Sequence, residues 1–468
     1  MQTVRSKRGK EIKPTLKNEN LFFGALFLNV LITVMNTTMF NVAIPSITTQ
    51  FNLTATLASW VVTSYSVVFA IGTVMYGRLT GLYPIKRLFT IGLILLGIGS
   101  TIGILADSYY LLIVARLIQA AGTSSISALG MIVITRYIPE GRKGAAMGKV
   151  AAASTLGFGL GPLVGGLLTE YFGWRFLFVV SLIGVLMIPF YRMNVPNEER
   201  PKEHFDFNGL FYLCIGAISL LLFITTENVV FLLGIGFLLI FWYHIQNTQQ
   251  PFIAPSLMKS KTYLTIIAIG FLIFFINFSI LFISPLLLAS VHEASVARIG
   301  FIIFPGAICS ALLSILIGKL LDRIGVIPII GGGILLMFLA VFLFSSYSYL
   351  SEWTILFFYL LSSLSFACIT MGLPNFLSNS LKPDQFPSGF GILQLLQFFG
   401  GATGVSVSGK ILDMGTRESL QINFIWKSSN YVYSNAYFLL MILALIAGIV
   451  FYFLKKHESR STLLSKEM

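Results

Sequence analysis

Fourteen apolar runs, each near the roughly 20 residues needed to cross the hydrocarbon core of a bilayer, occupy this chain almost from end to end. They fall near 21–43, 57–76, 88–106, 110–134, 146–169, 176–192, 207–225, 228–246, 263–286, 298–317, 326–346, 353–377, 389–412 and 436–454. Inside lipid every backbone polar group needs a partner within the protein, so only helices and closed barrels can span it. Runs of this length predict helices, hence an all-α membrane protein with no room for a soluble domain between spans. Composition agrees: 56% hydrophobic and 10% charged residues supply too little polar surface to cover a soluble globule of 468 residues.

The formal net charge of +13 has its meaning in where the cations lie. With both termini inside, the expected cytoplasmic segments hold 25 of the 31 Lys and Arg, the outer ones 5, and Arg116 is left within a span. This bias predicts a multi-pass protein of the cell membrane with both termini cytoplasmic, and the charge gives no sign of nucleic-acid binding. The basic tail over 1–20, carrying Arg5, Lys7, Arg8, Lys10, Lys13 and Lys17, is expected to face anionic membrane lipid. The run behind it exceeds a signal h-region of about 7–15 residues and has no small-x-small cleavage site after it, so it reads as the first span. Cys214, Cys309 and Cys368 lie in apolar runs without disulfide or metal spacing. No nucleotide loop, metal cluster or nucleophile–base set is present, so neither an enzyme nor a cofactor is expected, and the chain is expected to work as a monomer.

The two ends of the chain repeat each other, as transporter halves do. Gly77-Arg78-Leu79-Thr80-Gly81-Leu82-Tyr83-Pro84-Ile85-Lys86-Arg87 recurs in outline as Gly318-Lys319-Leu320-Leu321-Asp322-Arg323-Ile324-Gly325, an offset of 241 that also carries Asn36 to Asn277 and Thr38 to Ser279. An offset of 243 carries Gly157, Gly161 and Gly165 to Gly400, Gly404 and Ser408. Each row has i, i+4, i+8 spacing, so its small residues share one helix face and let backbones approach closely. The expected organisation is a six-helix bundle over 21–192, an inserted peripheral pair over 207–246, a second six-helix bundle over 263–454 related to the first by a pseudo-two-fold axis, and a cytoplasmic tail over 455–468.

With these residues the sequence resembles the fourteen-helix drug/proton antiporter family of the major facilitator superfamily, and most closely its bacterial tetracycline-efflux branch. The carriers are the 77–87 loop, Asn36-Thr37-Thr38-Met39-Phe40-Asn41-Val42-Ala43-Ile44-Pro45, Ala115-Arg116-Leu117-Ile118-Gln119-Ala120-Ala121-Gly122, Gly157-Phe158-Gly159-Leu160-Gly161-Pro162-Leu163-Val164-Gly165-Gly166 and Phe304-Pro305-Gly306. The resemblance implies the major facilitator fold, export by alternating access and proton coupling. The paired loops supply the gating candidates Gly77, Arg78, Arg87, Gly318, Lys319, Asp322 and Arg323, since Asp322, at the inner end of its span, is placed to pair with cationic groups or a helix N-terminus across the interface. Pro162 lacks an amide hydrogen and so breaks the bond to the Phe158 carbonyl; with Gly157, Gly161 and Gly165 it is a candidate hinge. Arg116 is a cation in mid-span and therefore a functional candidate.

The sequence also departs from those relatives. None of its 18 acidic residues and none of its four histidines falls near the middle of a span. Where tetracycline exporters keep carboxylates for a cationic metal–drug complex, the motifs place Thr37, Phe158 and Gly401, and Gly81 replaces the usual loop aspartate. A cation in a low-dielectric cavity needs negative or strongly polar partners, which argues against metal–tetracycline as the substrate. The expected cavity lining is neutral and amphipathic: Asn36, Thr37, Asn41, Gln119, Phe158, Asn277, Gln394 and Gln397, with Arg116 nearby. That set suits a small uncharged, anionic or amphiphilic molecule. Export of hydrophobic or amphiphilic compounds is the first reading. A lipid, peptide or metabolite carrier without classical proton coupling, and a non-transporting receptor or scaffold derived from a transporter, are the alternatives.

Overall fold

The computed structural model describes residues 16–197, 206–248, 255, 257–381, 386–417, 423 and 431–464, and among these there is no strand. Among the described residues fifteen α-helices follow one another: α1 Glu19–Phe51, α2 Ala55–Leu79, α3 Ile85–Ile104, α4 Tyr109–Tyr137, α5 Glu140–Phe172, α6 Phe176–Val185, α7 Ile188–Asn194, α8 Phe207–Thr226 and α9 Leu233–Asn247. They continue with α10 Lys261–Val291, α11 Val296–Ile324, α12 Val326–Tyr347, α13 Glu352–Ser380, α14 Phe386–Arg417 and α15 Tyr431–Leu464. They make 14 spans long and apolar enough to cross a membrane, because α6 and α7 are two pieces of one. Pro189 explains that break: its ring displaces the hydrogen bond to the carbonyl four residues back, and that residue, Val185, is where α6 stops. Most helices outrun their apolar stretch by a turn or two, since hydropathy registers only the lipid-facing depth. One consequence corrects the expected loop: α11 continues to Ile324, so Gly318, Lys319, Asp322 and Arg323 stand on its last turns. Only Gly325, at φ +84, turns the chain into α12, a conformation that glycine adopts without strain.

Helix starts are set by ordinary capping chemistry. Asn18, Thr54, Ser108, Asp206, Ser260, Ser295 and Ser351 each accept a backbone N–H from the first turn of the helix that follows, satisfying donors that have no intrahelical partner.

Helices α1–α7 pack among themselves, as do α10–α15, and the two sets meet along α2–α14 and α5–α11. The glycine rows supply the closest packing within each set. A Cβ added at Gly161 would lie 1.8 Å from Thr38 Oγ1, and one at Gly404 would lie 2.3 Å from the Phe275 carbonyl and 2.8 Å from Ser279 Oγ. The residues that the two offsets paired, Thr38 with Ser279 and Gly161 with Gly404, therefore meet in the same way in α1–α5 and α10–α14. α5 carries a second small-residue face toward α11: Gly166 and Pro162 pack on Gly300, and Gly159 on Ile308. Helices α8 and α9 pack on each other, and α8 lies beside the α2–α14 contact, where Leu221 joins Val67 and Ala402.

Candidate functional site

Among the described residues Arg116 is the largest fully buried side chain, and its partners come from the first set of helices. Its Nη1 donates to Asn36 Oδ1 at 2.6 Å and to Gln119 Oε1 at 2.8 Å, and its Nε donates to the Val61 carbonyl at 3.1 Å. The guanidinium lies between two rings, 4.0 Å from the centre of Phe40 and 4.1 Å from that of Tyr65, so cation–π attraction takes the place of a carboxylate. Asn36 and Gln119 pass the network on: both donate to Ser181 Oγ, at 2.6 and 3.0 Å, and Gln119 also reaches Ser100 Oγ at 3.3 Å. Tyr65 in turn donates to Thr123 Oγ1 at 2.9 Å. One arginine thus ties together α1, α2, α3, α4 and α6. Its Nη2 alone has no hydrogen-bond partner.

This placement differs from the expected cavity lining. Asn36, Arg116 and Gln119 are 0% exposed and bonded to one another inside the first set of helices, because a mid-span cation needs acceptors and the two amides are the acceptors within reach. Thr37 and Asn41 are buried on α1, where the Thr37 hydroxyl donates to the Thr33 carbonyl and Asn41 Nδ2 to the Thr37 carbonyl. Asn277 is buried on α10, Gln397 packs against Gly270 of the same helix, and Gln394 is half-buried.

Between the two sets runs a chain of aromatic rings. From the Tyr65 ring that covers Arg116 it passes to Phe69 at 5.9 Å, crosses to Phe398 on α14 at 4.9 Å, and reaches Phe274 and Phe278 on α10 at 5.8 and 6.1 Å. Phe274 meets Phe366 on α13 at 4.9 Å, and Phe366 meets Phe158 on α5 at 6.1 Å. Five helices from both halves contribute. Of these rings only Phe158 stands in one of the quoted motifs; nothing distinguishes the others among 42 phenylalanines and 18 tyrosines. The ring edges and faces offer apolar area and quadrupole contacts but no charge.

At the end of the molecule away from the chain termini, two carboxylates join the halves. Asp413 of α14 accepts the backbone N–H groups of Ala55 and Thr56, both at 2.8 Å, at the start of α2. Glu170 of α5 accepts those of Val296 and Ala297, at 3.0 and 3.4 Å, at the start of α11. Each places a negative charge on the positive end of a helix dipole in the other half. Glu170 and Asp413 stand 243 residues apart, the offset of the glycine rows, and Ala55 and Val296 stand 241 apart, the offset of the loops. The contact is therefore made twice, by equivalent residues in exchanged roles. Beside it Gly409 packs on Ala55 and Gly300 on Pro162, closing this end.

The remaining gating and hinge candidates are dispersed. α5 is one uninterrupted helix through Pro162. Gly77 and Arg78 end α2, Arg136 Nη2 donates to Thr80 Oγ1 at 2.9 Å, and Arg87 lies 5.5 Å from the Tyr83 ring. Lys319 and Arg323 are exposed; the Asp322 side chain is outside the described residues.

Comparison with known proteins agrees with this architecture. Residues 26–405 and 266–468 match the family model described as Major Facilitator Superfamily. The chain is 26% identical over 320 residues to "Riboflavin transporter RibZ" of Clostridioides difficile, covering 66% of this chain and 70% of that one. It is 29% identical over 339 residues to "Multidrug resistance protein Stp" of Mycobacterium tuberculosis, covering 69% and 62%. Among solved structures, a POT family transporter in complex with 5-aminolevulinic acid superposes with a TM-score of 0.71 at 13% identity, covering 94% of this chain and 96% of that chain, a likeness of fold alone. A helical fold in two sets joined along α2–α14 and α5–α11, together with a family match over most of the length, means that the chain belongs to the Major Facilitator Superfamily and is a transporter of that fold.

Proposed function

We propose that this transporter exports hydrophobic or amphiphilic compounds across the cell membrane by alternating access, within the fourteen-helix drug/proton antiporter group and near its tetracycline-efflux branch. The supporting observation is the aromatic chain from Tyr65 to Phe158, which crosses both halves on uncharged rings, with Arg116 only at its Tyr65 end, and suits a flat or greasy solute. In this reading residues 21–192 and 263–454 are the two moving bundles, 207–246 is a peripheral pair, both termini are cytoplasmic, and the protein acts as a monomer. The end sealed by Glu170 and Asp413 then faces outward, so the structure is the outward-closed state. Lys319, Asp322 and Arg323 would seal the opposite side when the molecule turns. Among the described residues no acidic side chain lies in mid-span, so a proton passing with the substrate rides on the substrate or on water beside Arg116.

The name of the relative RibZ makes a neutral metabolite carrier the second reading, and the same ring-lined path favours it: an isoalloxazine is a flat amphiphile. Inverted vesicles containing the protein, given a lipophilic cationic dye, a neutral dye, tetracycline and riboflavin with and without an imposed pH gradient, separate these readings. Accumulation of the dyes is expected and accumulation of tetracycline is not. Riboflavin movement alone would favour the metabolite carrier, and no movement of any solute would favour the non-transporting receptor.

A further inference from the structure

At the termini end of the molecule, where α3 begins beside the end of α7, Lys86, Arg87, Arg192, Thr90, Asn197 and Pro84 line a cavity of about 340 Å³. Lys17 stands nearby, its backbone N–H bonded to the carbonyl of Asn194, two residues past Arg192, at 3.1 Å. Lys86 Nζ donates to Asn197 Oδ1 at 2.6 Å. Among the described residues no acidic side chain pairs with any of these four cations; Glu198 and Glu199, next in the chain, are outside them. Like charges gathered around one cavity repel each other unless an anion sits between them.

We propose that this cavity binds the phosphate of an anionic phospholipid of the adjoining leaflet. The shape of α3 favours a lipid over a soluble phosphate. Arg87 opens a stripe that continues through Ile91, Ile94 and Ile98 at i, i+4, i+7 and i+11, and these three isoleucines are 41–47% exposed. Beside them the sixth span exposes Leu186, Phe190 and Met193. A phosphate held by Lys86, Arg87 and Arg192, with Thr90 within the same cavity, has its acyl chains leaving along that stripe into the hydrocarbon. Basic clusters at the cytoplasmic ends of spans recognise anionic head groups in this way. The site is separate from the ring-lined path and rests on the proposed function only for the cytoplasmic placing of the termini.

The test uses the full-length protein reconstituted in phosphatidylcholine with and without phosphatidylglycerol, followed by native mass spectrometry of the extracted protein. The wild type is expected to retain a phosphatidylglycerol that is lost as salt rises. Lys86→Gln with Arg192→Gln is expected to bind it about 30-fold more weakly, at about 5-fold per cation removed. Lys259→Gln with Lys261→Gln removes the same charge at the start of α10, at the same end of the molecule, and serves as the control for bulk charge and for folding; it should retain the lipid. Arg192→Gln alone keeps the comparison available should the double variant fail to fold, with a loss of about 5-fold expected. Equal retention by the wild type and the α3–α7 variants, or equal loss in the control, overturns the proposal. A third arm offers inorganic phosphate to lipid-depleted protein. Binding of phosphate that depends on Lys86 and Arg192, without retention of phosphatidylglycerol, overturns the lipid assignment in favour of a soluble phosphate.

Discussion

Glu170→Gln combined with Asp413→Asn is expected to open the end of the molecule away from the termini. Glu170 accepts both of its N–H groups through one oxygen, which its amide keeps, whereas Asp413 accepts through both of its oxygens, so its amide loses one of the two bonds; each substitution also loses the charge that the facing helix dipole attracts. A charge at a helix N-terminus contributes about 0.3–1 kcal/mol when exposed and up to about 2 kcal/mol when partly buried. Asp413 is half-buried and holds two N–H groups at 2.8 Å, so about 1.5 kcal/mol is assigned to it. Glu170 is exposed, with bonds of 3.0 and 3.4 Å, and solvent screening reduces it to about 0.5 kcal/mol. The sum of about 2 kcal/mol corresponds to roughly a 30-fold shift in the closed-to-open ratio. The assay is pulsed electron–electron distance measurement between spin labels at Tyr171 and Trp353, exposed residues of α5 and α13 at that end, with Cys214, Cys309 and Cys368 replaced by Ser. The longer-distance population is expected to grow in each single variant, more for Asp413→Asn, and most in the double variant. Transport should persist at a lower turnover, because the carboxylates bias the closure and do not carry the solute. Unchanged distances in the double variant at wild-type thermal stability would refute the reasoning, as would complete loss of transport with the distances intact.

Arg116→Ala should lower the thermal stability of the detergent-solubilised protein and abolish transport, since it leaves Asn36 and Gln119 buried without their donor, at about 1–3 kcal/mol for each unsatisfied group; wild-type melting would contradict the bracing role. Gly161→Ala and Gly404→Ala should each destabilise by about 1–3 kcal/mol through overpacking, given the 1.8 and 2.3 Å approaches their new methyl groups would make. Gly77→Ala, with nothing within 4 Å, should melt like the wild type in the same scan. Phe398→Ala removes the ring that joins Phe69 to Phe274 and Phe278 and should raise the apparent KM for an aromatic substrate about 2- to 13-fold, on about 0.5–1.5 kcal/mol per ring pair. An unchanged KM across the substrate panel would remove the ring chain from the path.

Much of the architecture is legible in the sequence because bilayer thickness and backbone chemistry leave few choices. Fourteen runs of spanning length can only be helices, and the break at Pro189 follows from a missing N–H. The two offsets of 241 and 243 are present in the sequence before any coordinates, and the cap pair Glu170 and Asp413 obeys the same 243, so that pair was findable by carrying the glycine offset five residues further. What it caps was not, since the acceptor and its N–H donors are more than a hundred residues apart in sequence.

The sequence alone determined the solvent, the span count, the repeat and the absence of mid-span acids, because each follows from local composition against a fixed membrane thickness. Tertiary structure decided which polar residues face which. Asn36 and Gln119 read as cavity lining in the sequence; with α1, α4 and α6 together around Arg116, the unmet donors of a buried cation claim both amides. The ring chain is likewise a property of packing: Phe69, Phe274, Phe278, Phe366 and Phe398 come from four helices, and only the approach of the two halves makes them neighbours. A helix face is written in its own sequence, but what it faces is chosen by the sum of all contacts the other helices make.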